Sequence, residues 1–241
     1  MARLSFHEAL GVLGIGDLHP GGAEASSFLL DEVAKEQPRL VLEVGAGIGR
    51  TTSRMRSRGW EVVSLEPNAV LRQRFAAQHA AGAQAESLEA FAGAPGSFDA
   101  AIAESVLYGM CLPDVFATLH RLVRPNGLVA MVDLVWTREA DPAVAARIHD
   151  ETRATYGIPM ASRERLTWTD WQMILRQAGF VPVAERRLEK GARAVGRLGW
   201  AAAVRHPVAV ATLLRYRFLT RRVAVPPGWV ESWMSVWRRV S

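Results

Sequence analysis

The stretch VLEVGAGIGRTT, residues 41–52, decides the fold, because an apolar run passes through an acidic residue into three alternating glycines. VLEV is typical of a buried strand, and the residues after the last glycine favour a helix. Gly45, Gly47 and Gly49 have no Cβ, so they allow a sharp turn whose backbone can approach a ligand closely. The stretch therefore predicts a strand, a ligand-binding turn and a helix, although glycines of this kind can also serve helix packing alone.

Strands and helices alternate along most of the remaining chain. A helix is predicted to begin at Pro20 and to end near Pro38. Because such alternation is typical of a parallel sheet covered on both faces, we predict a doubly wound α/β fold. The further predicted strands lie in residues 60–67, 83–91, 98–110, 128–136 and 181–189, and the further helices in residues 68–82, 115–127 and 166–180, the last with a capping box of Thr169 and Gln172.

Length and composition limit the class of protein. The chain has 241 residues, of which 49% are hydrophobic, and this suits one well-filled domain with additions. A single cysteine, Cys111, excludes an internal disulfide framework and an all-cysteine metal site. The six histidines are scattered, so no metal site is predicted. The chain has no continuous signal-peptide core and no apolar run of about 18 residues, so we expect a soluble, cytoplasmic protein.

The net charge of +5 is unevenly distributed. Residues 185–241 hold twelve lysines and arginines against three acidic residues, so the first 184 residues carry a charge of −4. We treat residues 191–241 as a basic helical extension rich in tryptophan and arginine, with a helix from Pro207 to about Arg222. This extension could bind an anionic membrane surface, act as a lid or dimer contact, or pack on the domain with its arginines in solvent. No recognised nucleic-acid-binding module is present, so nucleic acid is a disfavoured partner.

Glu66 gives the glycine turn a more specific meaning. It stands at the end of the second predicted strand, 21 residues after Gly45. A carboxylate at that edge of the sheet can accept hydrogen bonds from both hydroxyls of a ribose. The dinucleotide fingerprint would require a glycine where Arg50 stands, and this departure disfavours a nicotinamide cofactor.

The strand, the E-x-G-x-G-x-G turn, the helix and the second strand with its terminal acid resemble the class I S-adenosylmethionine-dependent methyltransferases over roughly residues 18–189. The resemblance implies a Rossmann-like, mainly parallel sheet of seven strands with helices on both faces. It implies S-adenosyl-L-methionine as cofactor and S-adenosyl-L-homocysteine as its product. It also implies that LHPGG, residues 18–22, belongs to a helical N-terminal lid, residues 1–37, of a domain that spans residues 1–190.

The resemblance also implies which residues contact the cofactor. LEVGAGIG corresponds to the motif that holds the methionine and ribose parts, and LEPNAV to the motif beside the adenine. AESL matches the place of an acidic adenine contact, although a solvated surface acid is an equal alternative there. FDAAIAESVLYGM matches the motif at the cofactor rim. The predicted cofactor-binding residues are Glu43, Gly45, Ala46, Gly47, Gly49, Glu66, Pro67, Asn68, Glu86, Ser87, Glu104 and Ser105.

Methyl transfer from a sulfonium is an in-line displacement, so the protein must mainly align the acceptor and exclude water. A base is needed only when the nucleophile arrives protonated. We predict transfer to an oxygen or nitrogen of a small organic molecule, with His19 and Asp133 as candidate bases. Helix capping or packing is the alternative for His19. The predicted acceptor-pocket residues are Tyr108, Met110, Trp136, His149 and Tyr156, each of which could instead serve core, loop or surface packing.

Other interpretations and the oligomeric state stay open. The protein could methylate a lipid or quinone-like acceptor at a membrane surface, or bind the cofactor as a non-catalytic partner subunit. A nicotinamide oxidoreductase is disfavoured by Arg50. Segments typical of base-amine or cytosine C5 methylation are absent from the sequence, which disfavours a polynucleotide substrate. The sequence is compatible with a monomer or a homodimer.

Overall fold

A computed structural model describes residues 4–80, 82–188, 205–219 and 225–240. In these ranges six strands form one mixed sheet in the order β2-β1-β3-β4-β6-β5. Strands β1 to β4 are parallel, and β6 is antiparallel to both of its neighbours. The strands are β1 (Leu40–Val44), β2 (Glu61–Leu65), β3 (Phe98–Glu104), β4 (Val123–Trp136), β5 (Phe180–Leu188) and β6 (Val230–Arg239).

Helices cover both faces of the sheet. Leu29 of α2 and Met55 of α3 pack on one face, whereas Phe116 of α5 and Trp171 of α7 pack on the other. The predicted Rossmann-like, doubly wound α/β fold is therefore confirmed. The helices are α1 (Phe6–Val12), α2 (Gly22–Ala34), α3 (Arg50–Ser57), α4 (Ala69–Ala76), α5 (Leu112–Leu122), α6 (Pro142–Tyr156), α7 (Trp168–Gln177) and α8 (Pro207–Leu219), with a short 3-10 helix at Leu107–Gly109.

Strand β4 shows why the sheet is buried on both faces. Met131 and Val135 point into the cluster that contains α5 and α7, whereas Ala130 and Val132 point into the cluster that contains α2. Successive strand residues face opposite sides of a sheet, so an almost continuous apolar run fills both layers. Odd-numbered and even-numbered residues at this end of β4 therefore enter different layers, and this alternation is what we call the parity of a residue.

The predicted strand at residues 83–91 is not formed, and the described residues contain six strands rather than seven. The segment contributes one isolated parallel bridge, between Gln84 and Leu65. Its alanines offer little apolar area, and Leu88 is its one buried hydrophobic side chain. A single buried leucine does not secure a strand next to β2, and Glu86 stands exposed in an irregular segment.

The prediction of a helical C-terminal extension is wrong for residues 230–239, which form β6 inside the sheet. Met234 and Val236 are buried against one face, and Trp233 and Trp237 pack against the other. This alternation has the period of a strand, and the cross-strand partners on β4 and β5 complete the hydrogen bonding. The prediction relied on the basic composition of residues 191–241 and did not take this two-residue alternation into account.

Helix α8 begins at Pro207, as predicted, and is described to Leu219; its predicted end near Arg222 lies outside the described residues. Ala209 packs with Ala9 of α1 and with Leu13, which directly follows that helix, so α8 docks on α1. The domain boundary predicted at residue 190 also lies outside the described residues. No helix in the described ranges is long and apolar enough to cross a membrane.

The capping box of α7 differs from the prediction. Thr167 and Asp170 form it, rather than Thr169 and Gln172, because the helix begins two residues earlier. The Asp170 carboxylate accepts hydrogen bonds from both the backbone N–H and the hydroxyl of Thr167, at 2.8 and 2.7 Å. This cap fixes the start of a helix whose Trp168 ring stacks on Trp233 of β6.

Candidate cofactor and acceptor site

A cavity of about 1270 Å³ lies at the carboxyl ends of β1, β2 and β3. The N-terminal segment from Ser5 to Pro20 forms one wall, and the end of α6 with residues 157–160 forms another. Ligands of open α/β sheets bind at this edge, where the strand-to-helix turns meet. We call the part around the glycine turn and the end of β2 the cofactor end, and the part between the start of α1 and the end of α6 the acceptor end.

The three glycines of the turn serve different purposes, although all have positive φ angles. A Cβ on Gly45 would lie 2.4 Å from Cγ1 of Val106, and one on Gly49 would lie 2.3 Å from the imidazole of His79. These two positions need glycine for packing, and Gly49 is not part of the cavity wall. A Cβ on Gly47 would meet no atom within 4 Å, so this residue presents bare backbone to the cavity.

Glu66 is held in place by the turn that it faces. Its Oε2 accepts a hydrogen bond from the backbone N–H of Gly47 and its Oε1 from that of Asn68, both at 2.8 Å. Burial raises the pKa of Glu66 above its ordinary value, and the two amide bonds oppose this shift. Each oxygen keeps a further lone pair, so the fixed carboxylate can accept hydroxyl groups from a ligand in the cavity.

Two more carboxylates, those of Glu43 and Glu104, lie in the wall of the cofactor end. Glu43 is buried and accepts hydrogen bonds from the hydroxyls of Thr52 and Ser64. Burial raises the pKa of Glu43 to about 7, and the nearby Glu104 carboxylate adds to the increase. Glu104 accepts from the hydroxyls of Thr51 and Ser26. Two adjacent acidic groups whose hydrogen bonds come from hydroxyl groups suit a cationic group of a ligand.

The residues predicted beside the adenine, Pro67, Asn68, Glu86 and Ser87, all lie in the cavity wall, as does Ala46 of the glycine turn. The Asn68 side chain caps α4 through its oxygen. Glu86 is exposed, so the wall at this point is open to solvent.

Three polar contacts hold the N-terminal segment against the loops of the cofactor end. Asn68 donates through Nδ2 to Glu8 at 3.0 Å, and Arg50 donates to the carbonyl of Gly14 at 2.9 Å. The third contact is a bidentate pair at 2.6 and 2.8 Å between the Arg54 guanidinium and the Asp17 carboxylate. The wall that this segment provides is thus tied to the glycine turn, the start of α3 and the end of β2.

His19 lies in that wall, and both of its ring nitrogens contact other parts of the chain. Its Nδ1 is 3.1 Å from the carbonyl oxygen of Pro20. Its Nε2 is 3.1 Å from the hydroxyl of Ser26 and 3.4 Å from the carboxylate of Glu104. The side chain therefore connects the N-terminal wall to the end of β3, and its role as a base stays a prediction.

Besides Gly49, three predicted residues lie outside the cavity wall. Asp133 shares the parity of Met131 on β4, so it points into the core beneath the short 3-10 helix, and its carboxylate makes no hydrogen bond of normal geometry to the described residues. Burial raises the pKa of Asp133 well above its ordinary value. Trp136 is fully buried and donates through Nε1 to Ser162, and His149 contacts the carbonyl of Ala161 at 2.7 Å. Core packing and backbone contacts account for the positions of these tryptophan and histidine side chains.

Ser105, Tyr108, Met110 and Tyr156 line the cavity, and their roles toward cofactor and acceptor stay predictions. Ser105 directly follows β3 with a φ angle of +54°, and its hydroxyl is buried without a partner among the described residues. A non-glycine residue in this conformation and an unpaired buried hydroxyl both cost free energy, and such features cluster at ligand sites.

Sequence reasoning missed most of the acceptor end. Side chains there come from α1 and from the end of α6, two segments that carry no recognised motif. The T-shaped contact of Phe6 with Tyr156 at 5.4 Å brings these two segments together, and Gly109 of the 3-10 helix approaches Pro159 beside them. The missed residues of the wall include Phe6, His7, Arg153, Ile158, Pro159, Met160 and Ser232.

Comparison with known proteins adds sequence and fold relationships to this geometry. A family model described as "Methyltransferase domain" matches residues 42–131. The uncharacterized methyltransferase YodH of Bacillus subtilis is 26% identical over 179 residues, which cover 72% of this chain and 73% of YodH.

Two solved structures share the fold at low sequence identity. A candidate sarcosine dimethylglycine methyltransferase from Galdieria sulphuraria has a TM-score of 0.73 at 14% identity, with 98% of each chain covered. Geranyl diphosphate C-methyltransferase from Streptomyces coelicolor, crystallised with geranyl diphosphate and S-adenosyl-L-homocysteine, has a TM-score of 0.66 at 15% identity, with 91% of this chain and 79% of the other covered. At these identities the two structures establish the fold alone.

Proposed function

We propose that this chain, which belongs to the class I S-adenosylmethionine-dependent methyltransferases, transfers a methyl group to an oxygen or nitrogen of a small organic molecule. The observation that carries the proposal is one continuous cavity of about 1270 Å³, with carboxylates in the wall of its cofactor end and mainly apolar side chains in the wall of its acceptor end. Sites for one small ligand commonly measure roughly 300 to 1000 Å³. The cavity is therefore large enough for a methyl donor and an acceptor at once.

The cofactor end fits S-adenosyl-L-methionine in three respects. Glu66, fixed by two backbone amides, would accept the ribose hydroxyls. Glu43 and Glu104 would face the ammonium group of the methionine part, and the bare backbone at Gly47 would let the cofactor approach the turn. When bound, the cofactor supplies an activated methyl group and a neutral thioether leaving group. The chain's task is to align the acceptor and to exclude water.

Asp133 has no role in this proposal, since it lies outside the cavity. His19 would act by fixing Glu104 and the N-terminal wall, because its ring nitrogens are already occupied by contacts with the chain. The N-terminal segment would act as the predicted lid, opening where its polar contacts with Asn68, Arg50 and Arg54 and that of His19 with Glu104 break. Trp136 and His149 would stabilise the wall from behind.

Calorimetric titration with S-adenosyl-L-methionine and S-adenosyl-L-homocysteine, with NAD as the control, tests the cofactor assignment. We expect micromolar binding of both adenosyl ligands and none of NAD. Methyl transfer is then followed by mass spectrometry with a panel of phenols, amines and carboxylic acids. Adenosyl binding without transfer to any of them would favour the non-catalytic partner role, and binding of NAD alone would overturn the assignment.

A membrane-surface methyltransferase is a second candidate, favoured by the position of α8. Val208 and Leu214 on this helix are 45% and 54% exposed, and the helix packs on α1, which forms part of the cavity wall. An apolar surface beside a basic segment can lie on an anionic bilayer. Sedimentation with vesicles of anionic lipid, compared with neutral vesicles, distinguishes this candidate from an enzyme that works in solution.

A further inference from the structure

Helix α1 lies between the cavity and helix α8. Glu8 and Gly11 of α1 line the cavity, whereas Ala9 of the same helix packs with Ala209 of α8. The two alanines are 0% and 1% exposed, so each helix shields the other from solvent at this contact. To leave the cavity wall, α1 must therefore either separate from α8 or take α8 with it.

On its other side, α1 fits closely against the cofactor end. A Cβ on Gly11 would lie 2.3 Å from Cδ2 of Leu71 and 3.2 Å from Cγ2 of Ile48. Leu71 of α4 and Ile48 of the glycine turn both line the cavity. Glu8 adds the hydrogen bond that it accepts from Asn68. Helix α1 is thus held between the loops of the cofactor end and α8.

The carboxylates of the cofactor end lie deep in the cavity that α1 helps to close. Glu43 and Glu66 both line this cavity, but they are only 4% and 6% exposed. A ligand that contacts them is covered by the N-terminal wall. Covered ligands commonly enter and leave through the movement of a lid.

Helix α8 is attached to the rest of the domain at both ends, independently of α1. At its start, Nη2 of Arg74 on α4 lies 3.5 Å from Nε2 of His206. Six residues after the described end of α8, Val225 packs against the cluster that contains Trp136 and Ile148. Because neither attachment involves α1, α8 can stay in place while α1 moves.

The contact between α1 and α8 is built from small and medium apolar side chains. Val210 and Leu213 of α8 are partly buried beside Ala9, Leu13 and Ala209. Apolar contacts are not directional, so helices joined in this way can separate and rejoin without leaving buried polar groups unpaired. This type of contact suits a part that opens and closes.

On the basis of the proposed function, we propose that α8 is a strap that holds the N-terminal wall closed, and that the cofactor and its product exchange only when α1 separates from α8. While the strap is docked, α1 stays against Leu71 and Ile48, and water is excluded from the site. When the contact opens, α1 can leave the wall. The strap therefore sets the rate of ligand exchange and not the affinity of the closed site.

A reversible cross-link between α1 and α8 tests this inference. Because Ala9 and Ala209 pack together, cysteines at these positions are placed to form a disulfide. The variant combines Ala9→Cys and Ala209→Cys with Cys111→Ser, since Cys111 is exposed and would compete for pairing. Binding of S-adenosyl-L-homocysteine to the immobilised full chain is followed by surface plasmon resonance, first oxidised and then reduced on the same surface.

The oxidised protein should bind and release S-adenosyl-L-homocysteine with both rate constants at least about tenfold lower, while Kd changes less than about threefold. Slowing of both rates at nearly constant affinity is expected of a gate and not of a damaged site. The reduced form of the same protein is the matched control and should exchange the ligand as the wild type does.

A second pair of variants acts in the opposite direction. Ala209→Asp places a charge in the dry contact and should undock α8, so that release of S-adenosyl-L-homocysteine becomes at least about threefold faster. Val208→Asp is the matched control, because this neighbouring side chain is 45% exposed and its charge would stay in solvent. Its release rate should stay within about twofold of the wild type. Thermal unfolding checks that both variants fold, and this pair decides if the disulfide does not form.

Unchanged exchange rates in the oxidised cross-linked protein, or in a folded Ala209→Asp, overturn the strap and leave the proposed function standing. Such a result would mean that α1 and α8 move as one unit, or that the ligand passes the open wall at Glu86. Failure of the wild type and of the reduced variant to bind S-adenosyl-L-homocysteine overturns both the strap and the proposed function.

Discussion

The two ends of the cavity differ in how their polar groups are held. At the cofactor end, Glu66, Glu43 and Glu104 each accept two or more hydrogen bonds from neighbouring residues before any ligand is present. At the acceptor end, the Nδ1 of His7 has no such partner among the described residues, and Arg153 stands exposed at the rim. One end is organised by polar contacts and the other mainly by apolar shape.

This difference indicates how the two ligands would be recognised. Groups that are already oriented lose little freedom when a ligand arrives, so the cofactor end can bind a fixed polar structure tightly. An apolar wall fixes the size and shape of its ligand but few of its atoms, so the acceptor end can change specificity through single side chains. Substitutions at the cofactor end should therefore weaken cofactor binding strongly, and those at the acceptor end should not.

The largest effect is expected from Gly47→Val. A side chain at this position would project into the cavity, and we expect the affinity for S-adenosyl-L-homocysteine to fall more than about 100-fold by calorimetry. Gly59→Val is the matched control, because Gly59 also has a positive φ angle and open space around it but lies outside the cavity. Both variants should lose about 1 to 2 kcal/mol of stability from the backbone strain. Normal binding by Gly47→Val would mean that the turn does not approach the ligand.

Glu66→Ala should have the next largest effect. Loss of two hydrogen bonds to ribose hydroxyls should weaken the binding of adenosyl ligands by roughly 2 to 4 kcal/mol, which is about 30- to 1000-fold. Glu86→Ala removes an exposed carboxylate from the same end of the cavity and should cost less than about tenfold. Equal affinities of the two variants in calorimetric titrations would remove Glu66 from the ribose assignment.

The pKa of Glu43 links cofactor binding to pH. Because this pKa is raised to about 7, the carboxylate gains its charge as the pH rises through 7. Between pH 6 and 8 the charged fraction rises about tenfold, so an ammonium group at Glu43 should bind about tenfold more tightly at pH 8. We expect calorimetry to show this increase for S-adenosyl-L-homocysteine.

Two controls separate Glu43 from other titrating groups. 5′-Methylthioadenosine lacks the amino-acid part, so its affinity should not follow the ionisation of Glu43. Glu43→Gln should remove the increase for S-adenosyl-L-homocysteine. The raised pKa of Glu43 also makes stability depend on pH. The unfolded chain releases the proton of the Glu43 carboxyl group near pH 4.5, whereas the folded chain releases it only near pH 7. The free energy of unfolding of the wild type should therefore fall between pH 4.5 and 7 relative to that of Glu43→Gln. The affinity could instead follow the same pH dependence in wild type with S-adenosyl-L-homocysteine, in wild type with 5′-methylthioadenosine and in Glu43→Gln with S-adenosyl-L-homocysteine. This result would contradict a contact of Glu43 with the ammonium group.

The cofactor end could be predicted from the sequence because its parts are local. The glycine turn and Glu66 belong to consecutive strand-to-helix turns, and parallel strands bring such turns to one edge of the sheet. The separate purposes of the glycines could not be read in the same way. Val106 and His79, which forbid a Cβ on Gly45 and Gly49, lie far along the chain and meet the turn only in the folded protein.

The sequence-based predictions fail where tertiary contacts outweigh amino-acid composition, or where a shift of one residue along a strand decides which face a side chain enters. Arginines and tryptophans made residues 230–239 look like part of a helical tail, whereas pairing with β4 and β5 makes them a strand. Asp133 lies near the carboxyl end of β4, at the correct edge, but its position in the strand directs its side chain into the core, and Leu134 lines the cavity instead. His7 stands six residues from the chain start in a helix without a motif, and only the fold places it opposite Tyr156.

The smallest effect on cofactor binding is expected at the rim of the acceptor end. Ile158 lines the cavity and is 37% exposed, so Ile158→Ser removes apolar contact with an acceptor but touches no group at the cofactor end. Its KM for an apolar acceptor should rise severalfold, because burial of a whole large aliphatic side chain contributes roughly 1.5 to 3 kcal/mol and an acceptor can cover only the exposed third of this one. Val181→Ser, at a similarly exposed valine outside the cavity, is the control for surface polarity and should leave this KM unchanged. The affinity of both variants for S-adenosyl-L-homocysteine should stay within about twofold of the wild type. A larger loss in Ile158→Ser would show that the two ends do not bind their ligands independently, and the contrast between a fixed cofactor end and an adaptable acceptor end would then fail.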